Sequence, residues 1–334
     1  MTRAGPVLCC PDKFRGSLTA AEAVRALAAG VERTGREARR LPLADGGEGT
    51  LAVLCPDPGD VRTARVTGPL GDPVEARWGL RDGTAVIEMA QASGLALVGS
   101  ANDPLRATTR GTGELIRLAL EEGAEHVIVA VGGSATVDGG LGALEALDHD
   151  LRDADVVVAC DVDTTFVAAA GVFGPQKGAD EDAVAELERR LERLADRYAE
   201  ERGVDVRALR GSGAAGGLAG GLAALGARLV PGAAFVADVV GLGAALESAS
   251  LAITGEGRFD ATSLAGKVVG HVLREAAARD VPAAVIAGDA DDRAPTPPGV
   301  PLVTLTEVAG SSAAAMRDAS RLVSDAASRL TARR

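Results

Sequence analysis

Short apolar runs alternate along the chain with longer segments whose apolar residues recur at helical spacing. Runs of this kind, bounded by turn residues, are typical of buried strands. They occur at residues 6–10, 126–131, 156–160, 251–254, 283–287 and 302–306. Helices are predicted at residues 19–34, 112–123, 183–202 and 268–278, and from about 312 onward. Strands that alternate with helices predict an α/β protein with a mostly parallel sheet.

Two of these helices carry additional signals. One face of residues 183–202 is apolar and is formed by Val184, Leu187, Leu191, Leu194 and Tyr198. Thr19 and Glu22 have the spacing of a capping box, in which each side chain bonds the other residue's backbone N–H. We therefore expect the first helix to begin at Thr19.

Residues 61–89 break the alternation of strands and helices. Three short β-rich runs, at 61–67, 74–80 and 84–89, are separated by the turn sequences GPLGDP and RDG. This spacing predicts a small antiparallel meander.

The loops that follow the predicted strands carry most of the unusual residues. Ligands of parallel α/β proteins bind beyond the carboxyl ends of the strands. The residues at these ends are Asp12, Lys13, Asp45, 132–134, Asp161, 256–260, Gly288 and Asp289. We expect the functional site to be built from them.

Charge and hydropathy exclude several classes of partner. The 334 residues carry a formal net charge of −12, whereas nucleic-acid and anionic-membrane surfaces need basic patches. The N-terminal apolar run is too short for a signal peptide, and the longest uncharged stretch, 211–227, is shorter than a membrane helix of ~18 residues. We expect a cytoplasmic protein that binds small molecules, and the oligomeric state stays open between monomer and homodimer.

Rare residue types narrow the chemistry further. Three histidines without an H-E-x-x-H motif argue against a zinc site or a His-based triad. The four cysteines show no C-x-x-C spacing and are expected to be reduced thiols. Only three lysines, Lys13, Lys177 and Lys267, occur beside 32 arginines. Because arginine serves elsewhere as the general cation, we expect these lysines to have specific roles.

Four loops combine glycine with charged or hydroxyl side chains. They are 44–50 (ADGGEGT), 132–140 (GGSATVDGG), 173–179 (FGPQKGA) and 254–260 (TGEGRFD), the last followed by Ser263, Gly266 and Lys267. Glycine lets a backbone approach a ligand, and N–H groups at a helix start can hold an anion. In the third loop a rigid turn presents Lys177 as a mobile cation suited to phosphate. The second loop, with its glycine pairs, hydroxyls and Asp138, suits a phosphate or sugar-acid cradle, and the alternating carboxylates and cations of the fourth suit a Mg²⁺–phosphate site. The plain alternatives are a tight turn for the first two loops, a surface lysine without a role for the third, and an internally paired charged loop for the fourth.

Two common nucleotide-binding signatures do not account for these loops. G-x-x-x-x-G-K-[ST] is absent, because Val268 follows Gly266-Lys267 and Ala261 stands at the first glycine position. G-x-G-x-x-G occurs at 211–216, but no strand is predicted before it. A nicotinamide-dependent oxidoreductase is therefore a weak alternative.

Taken together, the segments resemble the type I glycerate kinase family. PDKFRGSLTAAEA is similar to the family's PDSFKGSLSA, LADGGEGT to ADGGEGT, and VGGSATVDGGLGALEAL to GGSATNDGGxGxxxAL. FGPQKGA, GAAGGL, and ITGEGRFD followed by GK resemble further blocks, so the resemblance spans the chain. It implies phosphorylation of D-glycerate by ATP with Mg²⁺, giving 2-phosphoglycerate. Alternatives are a kinase of another small hydroxy acid and a family member that binds ligand without turnover.

The resemblance also implies a two-domain α/β fold with the active site in the interdomain cleft. One domain is expected to have a Rossmann- or flavodoxin-like, mostly parallel sheet. We expect one part of the molecule to include about residues 1–60 and 260–334, and the other to consist of central segments with the 61–89 meander.

The chain departs from the family pattern at several positions. Lys13 stands where the family has Ser, and Arg15 where it has Lys. Val137 replaces an Asn, and Thr164 stands where an Asn is expected. The connection before the Cys160-Asp161 segment, here 148–155, is longer in the family. These departures leave a changed substrate or a lowered activity open.

Phosphoryl transfer needs in-line positioning, charge neutralisation and a group that orients the attacking hydroxyl. We expect Asp161, at the end of a buried strand, to be this base, with catalytic roles also for Asp45, Asp138 and Lys177. Glu256 and Asp260 are the expected metal ligands. Binding of substrate and phosphate is expected from residues that offer a cation, a hydroxyl or a backbone N–H, namely Arg15, Gly46, Gly47, Gly132, Gly133, Ser134, Thr136, Gly213, Gly216, Arg258 and Lys267.

Overall fold

The computed structural model describes residues 4–291, 294 and 297–332. Every predicted site residue lies within these ranges. The N-terminal segment tested above for a signal peptide is described from residue 4 onward. The chain divides into two compact units. The first runs from the N-terminus to Asp45 and resumes at Ala233, and the second is Gly46–Gly232. The sequence suggested boundaries near residues 60 and 260.

The strands are mostly short and apolar. In chain order they are β1 (Val7–Cys9), β2 (Ala38–Arg40), β3 (Val61–Thr67), β4 (Pro73–Arg81), β5 (Thr84–Glu88), β6 (His126–Ala130), β7 (Asp155–Cys160), β8 (Arg228–Pro231), β9 (Leu251–Phe259), β10 (Ala283–Ala290) and β11 (Leu302–Thr304).

The helices range from a single turn to six turns. In chain order they are α1 (Ala20–Glu32), α2 (Thr50–Leu54), α3 (Ala90–Ser93), α4 (Arg110–Glu121), α5 (Leu141–Ala146), α6 (Ala169–Phe173), α7 (Glu181–Arg202), α8 (Leu218–Ala224), α9 (Gly232–Val239), α10 (Leu242–Glu247), α11 (Val268–Ala277), α12 (Leu305–Ala309), α13 (Ser312–Arg317) and α14 (Ala319–Ala332). In the described ranges, no helix is both long and apolar enough to span a membrane.

The first unit is built on a parallel sheet with the strand order β11-β10-β9-β1-β2. Side chains of β1 alternate between two cores. Val7 and Cys9 pack with α1 and α14, whereas Leu8 packs on the other face with α10 and α11. The predicted capping box is confirmed at the start of α1, where Thr19 and Glu22 bond each other's backbone N–H. Burial on both faces explains why β1 is a continuous apolar run.

The second unit is built on a sheet with the order β3-β4-β5-β6-β7-β8. Its first three strands are antiparallel and its other pairs are parallel, which confirms the predicted meander. The predicted helix at 183–202 is α7, and Leu187, Leu191, Leu194 and Tyr198 are buried in the core of this unit. Both sheets carry helices, so the predicted α/β class is confirmed.

Strand β9 is longer than the sequence predicts. It continues past Thr254 to Phe259, because β10 also continues and pairs Ala287 with Glu256. A side chain at Gly255 would lie 2.2 Å from the Ile286 carbonyl oxygen, so glycine permits the strands to pair closely here. The predicted loop at 254–260 is therefore mostly strand. The short strand β8, whose residues are exposed or half-buried, was not predicted because it is not an apolar run.

The connection at 148–155, which is expected to be shorter than in the family, is a compact turn between α5 and β7. Four of its residues, Asp148, His149, Arg152 and Asp153, have positive φ angles between 51° and 63°. Non-glycine residues adopt this left-handed conformation at a cost in free energy. The short path from α5 to β7 is thus taken with backbone strain.

Candidate active site

In the first unit, the carboxyl end of β1 leads into the loop that carries Asp12 and Lys13. The backbone N–H of Asp12 donates to the carbonyl oxygen of Gly255 at 2.9 Å, so this loop stays attached to β9. Asp12 is 8% exposed. The Lys13 Nζ lies 3.4 Å from Asp45 Oδ1 and 3.8 Å from Asp12 Oδ1. The strand end therefore holds two carboxylates around one lysine.

Glu256 lies on the neighbouring strand β9 and is 8% exposed. Its Oε1 is buried and has no hydrogen-bond partner among the described residues. Burial raises the pKa of Glu256 to about 7, and the negative charges of Asp260 and Asp45 act in the same direction. A hydrogen bond from Ser263 and the positive charge of Lys267 lower the pKa and partly offset this rise. An orphaned carboxylate oxygen is costly unless a cation or a proton satisfies it.

Asp12, Asp45 and Glu256 form what we call the first-unit carboxylate cluster. Burial raises the pKa of Asp12, the negative charge of Asp45 raises it further, and Lys13 opposes both. Carboxyl groups with raised pKa values at a strand end can take up a proton near neutral pH or bind a cation. Asp12 was among the strand-end residues from which the site was expected to be built, but no individual role was predicted for it.

Of the other predicted residues of the first unit, Asp260 and Lys267 lie close enough to Glu256 for their charges to act on it. Asp260 accepts a hydrogen bond from the backbone N–H of Thr262 at 2.8 Å, and its pKa is lowered by hydrogen bonds from that residue. Arg15 and Arg258 are exposed, and Lys267 is the half-buried residue that precedes α11. Lys267 is thus the cation that the structure places near Glu256, and Arg15 and Arg258 are exposed cations, on the segment that follows β1 and within β9 respectively.

In the second unit, the glycine loop before α2 is fixed by Glu88. The backbone N–H groups of Gly49 and Leu51 both donate to Glu88 Oε1 at 2.8 Å. The Gly46 carbonyl oxygen accepts from the backbone N–H of Val131 at 3.1 Å. Glu88 is 3% exposed, and burial raises its pKa. Sequence reasoning assigned no role to Glu88, although it lies in the predicted β-rich run 84–89.

The two predicted glycine loops of this unit touch each other. A side chain at Gly132 would lie 2.8 Å from the Cα atom of Gly47. Gly133 has a φ of +75°, which favours glycine. The predicted loops at 44–50 and 132–140 are therefore brought together.

Lys177 is buried rather than displayed at the surface. Its Nζ donates to Ser134 Oγ and to the Thr136 carbonyl oxygen, both at 2.8 Å, and lies 5.6 Å from the ring centre of Phe173. Lys177 is 3% exposed. Burial lowers its pKa to about 7, although the negative charge of Asp138 acts to raise it. The expectation of a mobile surface cation is wrong, because the turn at 174–178 points the lysine inward.

The glycines at 213 and 216 pack against the same loop. A side chain at Gly216 would lie 2.0 Å from the Thr136 carbonyl oxygen, and Gly216 has a φ of +66°. The backbone N–H of Gly213 donates to the Thr164 carbonyl oxygen at 3.0 Å, in the segment that begins at Asp161. No strand directly precedes residue 211 in the described chain, so the G-x-G-x-x-G segment lacks the context of a dinucleotide site.

Asp138 is fully engaged with neighbouring backbone and hydroxyl groups. Its Oδ2 accepts from the Thr109 N–H and hydroxyl at 2.8 Å and from the Gly142 N–H at 3.3 Å, and its Oδ1 accepts from the Gly140 N–H at 3.1 Å. Burial raises its pKa, and these hydrogen bonds lower it. The geometry is that of a carboxylate that joins the starts of α4 and α5.

The structure thus groups the predicted residues separately within each unit. In the described ranges, no cluster of three or more His, Cys, Asp or Glu residues has the spacing of a metal site. Of the family departures, Val137 is 1% exposed and belongs to the core, whereas Thr164 lies in the Asp161 segment.

Comparisons with known proteins agree with the resemblance seen in the sequence. The model of the glycerate kinase family matches residues 7–155 and 145–333. Glycerate 2-kinase of Escherichia coli K12 is 40% identical over 326 residues, covering 86% of each chain, and glycerate kinase of Bacillus subtilis 168 is 41% identical over 322 residues, covering 84% of each. A crystal structure of a Salmonella typhimurium LT2 protein assigned as glycerate kinase 2 superimposes with a TM-score of 0.85 at 36% identity, covering 99% of this chain and 98% of that one.

The alignments also bear on the shortened connection. The 326 aligned positions of the E. coli enzyme take in only 86% of the 334 residues here, so a few dozen of its residues have no counterpart. The two matched stretches of the family model overlap at residues 145–155, where the strained turn lies. A segment missing at this turn stays a prediction from the family pattern.

Proposed function

The chain belongs to the glycerate kinase family, and from that premise we propose that it transfers the γ-phosphoryl group of ATP to the 2-hydroxyl group of D-glycerate, with Mg²⁺. The oxygen–phosphorus bond to the leaving ADP breaks as the glycerate oxygen bonds to phosphorus, and the hydroxyl proton passes to a base. The observation that carries the proposal is the buried, unpartnered oxygen of Glu256 within ITGEGRFD, a segment similar to the family.

The residues of the first-unit carboxylate cluster fit a magnesium ion. Mg²⁺ is usually held by one or two carboxylates together with substrate phosphates, and it needs no cage of three protein ligands. Glu256 Oε1 is buried and has no hydrogen-bond partner among the described residues, so a bound cation would satisfy it. When bound, Mg²⁺ would neutralise charge on the phosphate oxygens. We propose Glu256 as its principal ligand, with Asp12 or the predicted Asp260 as the second.

Exposed cations of the first unit are proposed to bind the anionic groups of the substrates. Arg15, Arg258 and Lys267 are exposed or half-buried and have the charge that phosphate and carboxylate groups require. In the second unit we assign a different role to Lys177. Because its Nζ is already bonded to Ser134 and Thr136, it positions the 132–136 loop, whose backbone N–H groups would face an anion.

For the proton acceptor we retain Asp161, which follows β7 in a half-buried position. A carboxylate at a strand end can orient the attacking hydroxyl and accept its proton. Asp161→Asn should lower kcat by roughly 100-fold or more, the range for general-base catalysis. Asp163→Asn is the matched control, because Asp163 lies in the same loop but is exposed and paired with Arg210 at 2.7 Å. Near-normal turnover of folded Asp161→Asn would remove Asp161 as the base.

The decisive experiment measures ADP release from the purified protein with ATP and Mg²⁺, with and without D-glycerate. The product is then identified by NMR. Glycerate-dependent ADP with phosphate on the 2-hydroxyl supports the proposal, and phosphate on the 3-hydroxyl contradicts the regiochemistry. ADP release that is stimulated only by another hydroxy acid would show the alternative substrate. Ligand binding with no turnover on any acid of a panel would show a member without activity.

A cytoplasmic location stays part of this proposal. All four cysteines are free thiols, which is the usual state in the reducing cytosol.

A further inference from the structure

A cavity of about 320 Å³ lies in the second unit, beside residues that the proposed phosphoryl transfer does not use. Its volume is at the lower end of the range for small-molecule sites, about 300–1,000 Å³. One wall is the face of α7 with Leu187, Leu191 and Leu194. The facing loops contribute Leu105 and Val137, and the start of α5 contributes Leu141. The interior is therefore apolar.

The mouth of this cavity carries arginines from the same helix. Arg190, Arg193 and Arg197 all line it and follow each other at spacings of three and four residues, which places them along one side of α7. Arg190 is fixed by hydrogen bonds to the Leu105 carbonyl oxygen at 2.7 Å and to Glu186 at 2.8 Å. It closes one side of the cavity as a structural tie.

The other two arginines retain donors. Arg193 approaches Glu186 only at 3.8 Å, and Arg197 bonds Glu201 through Nε at 3.0 Å. Within the described residues, the terminal guanidinium nitrogens of both make no hydrogen bond. Their side chains are 66% and 45% exposed. Two planar groups with N–H donors to spare therefore stand at the edge of an apolar cavity.

The acidic residues near the cavity determine how much positive charge is left to bind an anion. Asp138 also lines the cavity, but its two oxygens accept four hydrogen bonds from Thr109, Gly140 and Gly142. Glu186 and Glu201 belong to α7 but do not line the cavity, and they already balance part of the arginine charge. This limited positive charge suits a single negative charge better than a phosphate dianion.

We propose that the cavity binds a small monocarboxylate with an apolar or aromatic body, at a site distinct from the one for phosphoryl transfer. The body packs against the leucines and Val137, and the carboxylate accepts hydrogen bonds from Arg193 and Arg197. Guanidinium groups match the planar geometry of a carboxylate and are weakly hydrated, so they can bind it at the exposed edge of an apolar cavity. Val137 makes the wall apolar at a position where the family pattern has Asn.

The test uses 1-naphthoate as the probe, with naphthalene-1-carboxamide as its uncharged counterpart, in isothermal titration calorimetry of the intact protein. Naphthoate should bind, and the carboxamide should bind roughly tenfold or more weakly because it cannot make charge-assisted hydrogen bonds. Arg193→Gln should weaken the binding of naphthoate by a similar factor. Arg189→Gln is the matched control, since Arg189 is an exposed residue of the same helix, also bonds Glu186, and does not line the cavity. It should leave the affinity unchanged.

A second variant tests the apolar part of the site. Leu141→Trp fills the cavity from a half-buried position and should abolish binding, with circular dichroism confirming that the protein is folded. Glycerate-dependent ADP release should be unchanged in Arg193→Gln, which separates a failure of this site from a failure of the proposed function. Equal affinity for naphthoate and carboxamide, no effect of Arg193→Gln, no binding at millimolar probe, or displacement by ATP or glycerate would each overturn the proposal.

Discussion

Replacing Lys177 with methionine should change how the stability of the second unit depends on pH. The lysine is 3% exposed, and burial lowers its pKa to about 7 from an ordinary value of 10.5. The unfolded chain keeps this proton up to pH 10.5, whereas the folded chain loses it near pH 7. Burial of the charged form therefore costs most below pH 7, and the free energy of unfolding rises as pH increases from 7 to 10.5.

The magnitude follows from the size of the shift. Each pH unit within this window is worth about 1.4 kcal/mol, because the unfolded state binds one proton more than the folded state. Between pH 7 and 8.5 the native protein should gain about 1.5–2 kcal/mol relative to Lys177→Met, which has no proton to lose. Lys177→Arg is the companion variant, because arginine keeps its charge throughout this range, and it should also lack the gain.

Buried thiols set the upper limit of the useful pH range. Burial raises the pKa of Cys9 to about 12 and that of Cys160 to about 11, so the folded state holds these protons longer than the unfolded state. Stability is lost through them as pH rises above 9, the ordinary thiol value. Measurement below pH 8.5, taken as a difference between native protein and variant, removes their contribution.

The assay is urea unfolding followed by tryptophan emission at pH 6.5, 7.5 and 8.5. Trp78 is the only tryptophan of the chain, is 1% exposed and belongs to the second unit, so its emission reports the unit that contains Lys177. If the native and Lys177→Met curves run parallel with pH, the lysine does not lose its proton in this window, and the reasoning from burial is refuted.

Three further predictions concern other positions. Asp138→Asn should destabilise the second unit by about 1–3 kcal/mol in urea unfolding, because its amide places a donor against at least one buried N–H; an unchanged midpoint would contradict this. Thr19→Ala should lower the free energy of unfolding by about 1 kcal/mol, because the capping hydrogen bond is lost, and a thermal melt followed by circular dichroism measures this. Thr19→Ser is the control, because serine can keep the capping hydrogen bond. Because the pKa of Glu256 is raised to about 7, protons should compete with Mg²⁺ below that pH, so half-maximal activation should need more Mg²⁺ at pH 6 than at 7.5. Glu256→Gln should lose this dependence, and an unaltered Mg²⁺ response in Glu256→Gln would transfer the role to Asp260 or Asp12.

Much of the fold follows from local pattern. The sequence predicts the buried strands β1, β6 and β7 and the meander, because short apolar runs there are bounded by turn residues. The continuation of β9 to Phe259 could not be predicted from the sequence, because the polar residues Glu256 and Arg258 are held in the strand by pairing with β10. Extension there is a property of the partner strand rather than of the segment itself.

The candidate site shows the same division. The loop at 132–140 follows strand β6 as predicted, whereas 254–260 is mostly strand and 173–179 follows a helix. No local pattern indicates that Lys177 turns inward. Its hydrogen-bond partners, Ser134 and the Thr136 carbonyl, lie 43 and 41 residues earlier, so its burial depends on tertiary packing. The fixing role of Glu88 is equally non-local, because its partners precede it by 37 and 39 residues.

The discontinuity of the first unit has a consequence for synthesis on the ribosome. Strand β1 lies between β2 and β9, and the Cys10 carbonyl accepts from the Thr254 hydroxyl across 244 residues of chain. At ~5–20 residues per second, roughly 12–50 seconds separate the emergence of β1 from that of its neighbour. The second unit, which is one continuous stretch, is complete before then. The nascent chain must therefore carry the apolar β1 and α1 segment half-assembled while the second unit folds, and this interval is when chaperone binding to the N-terminal segment would matter most.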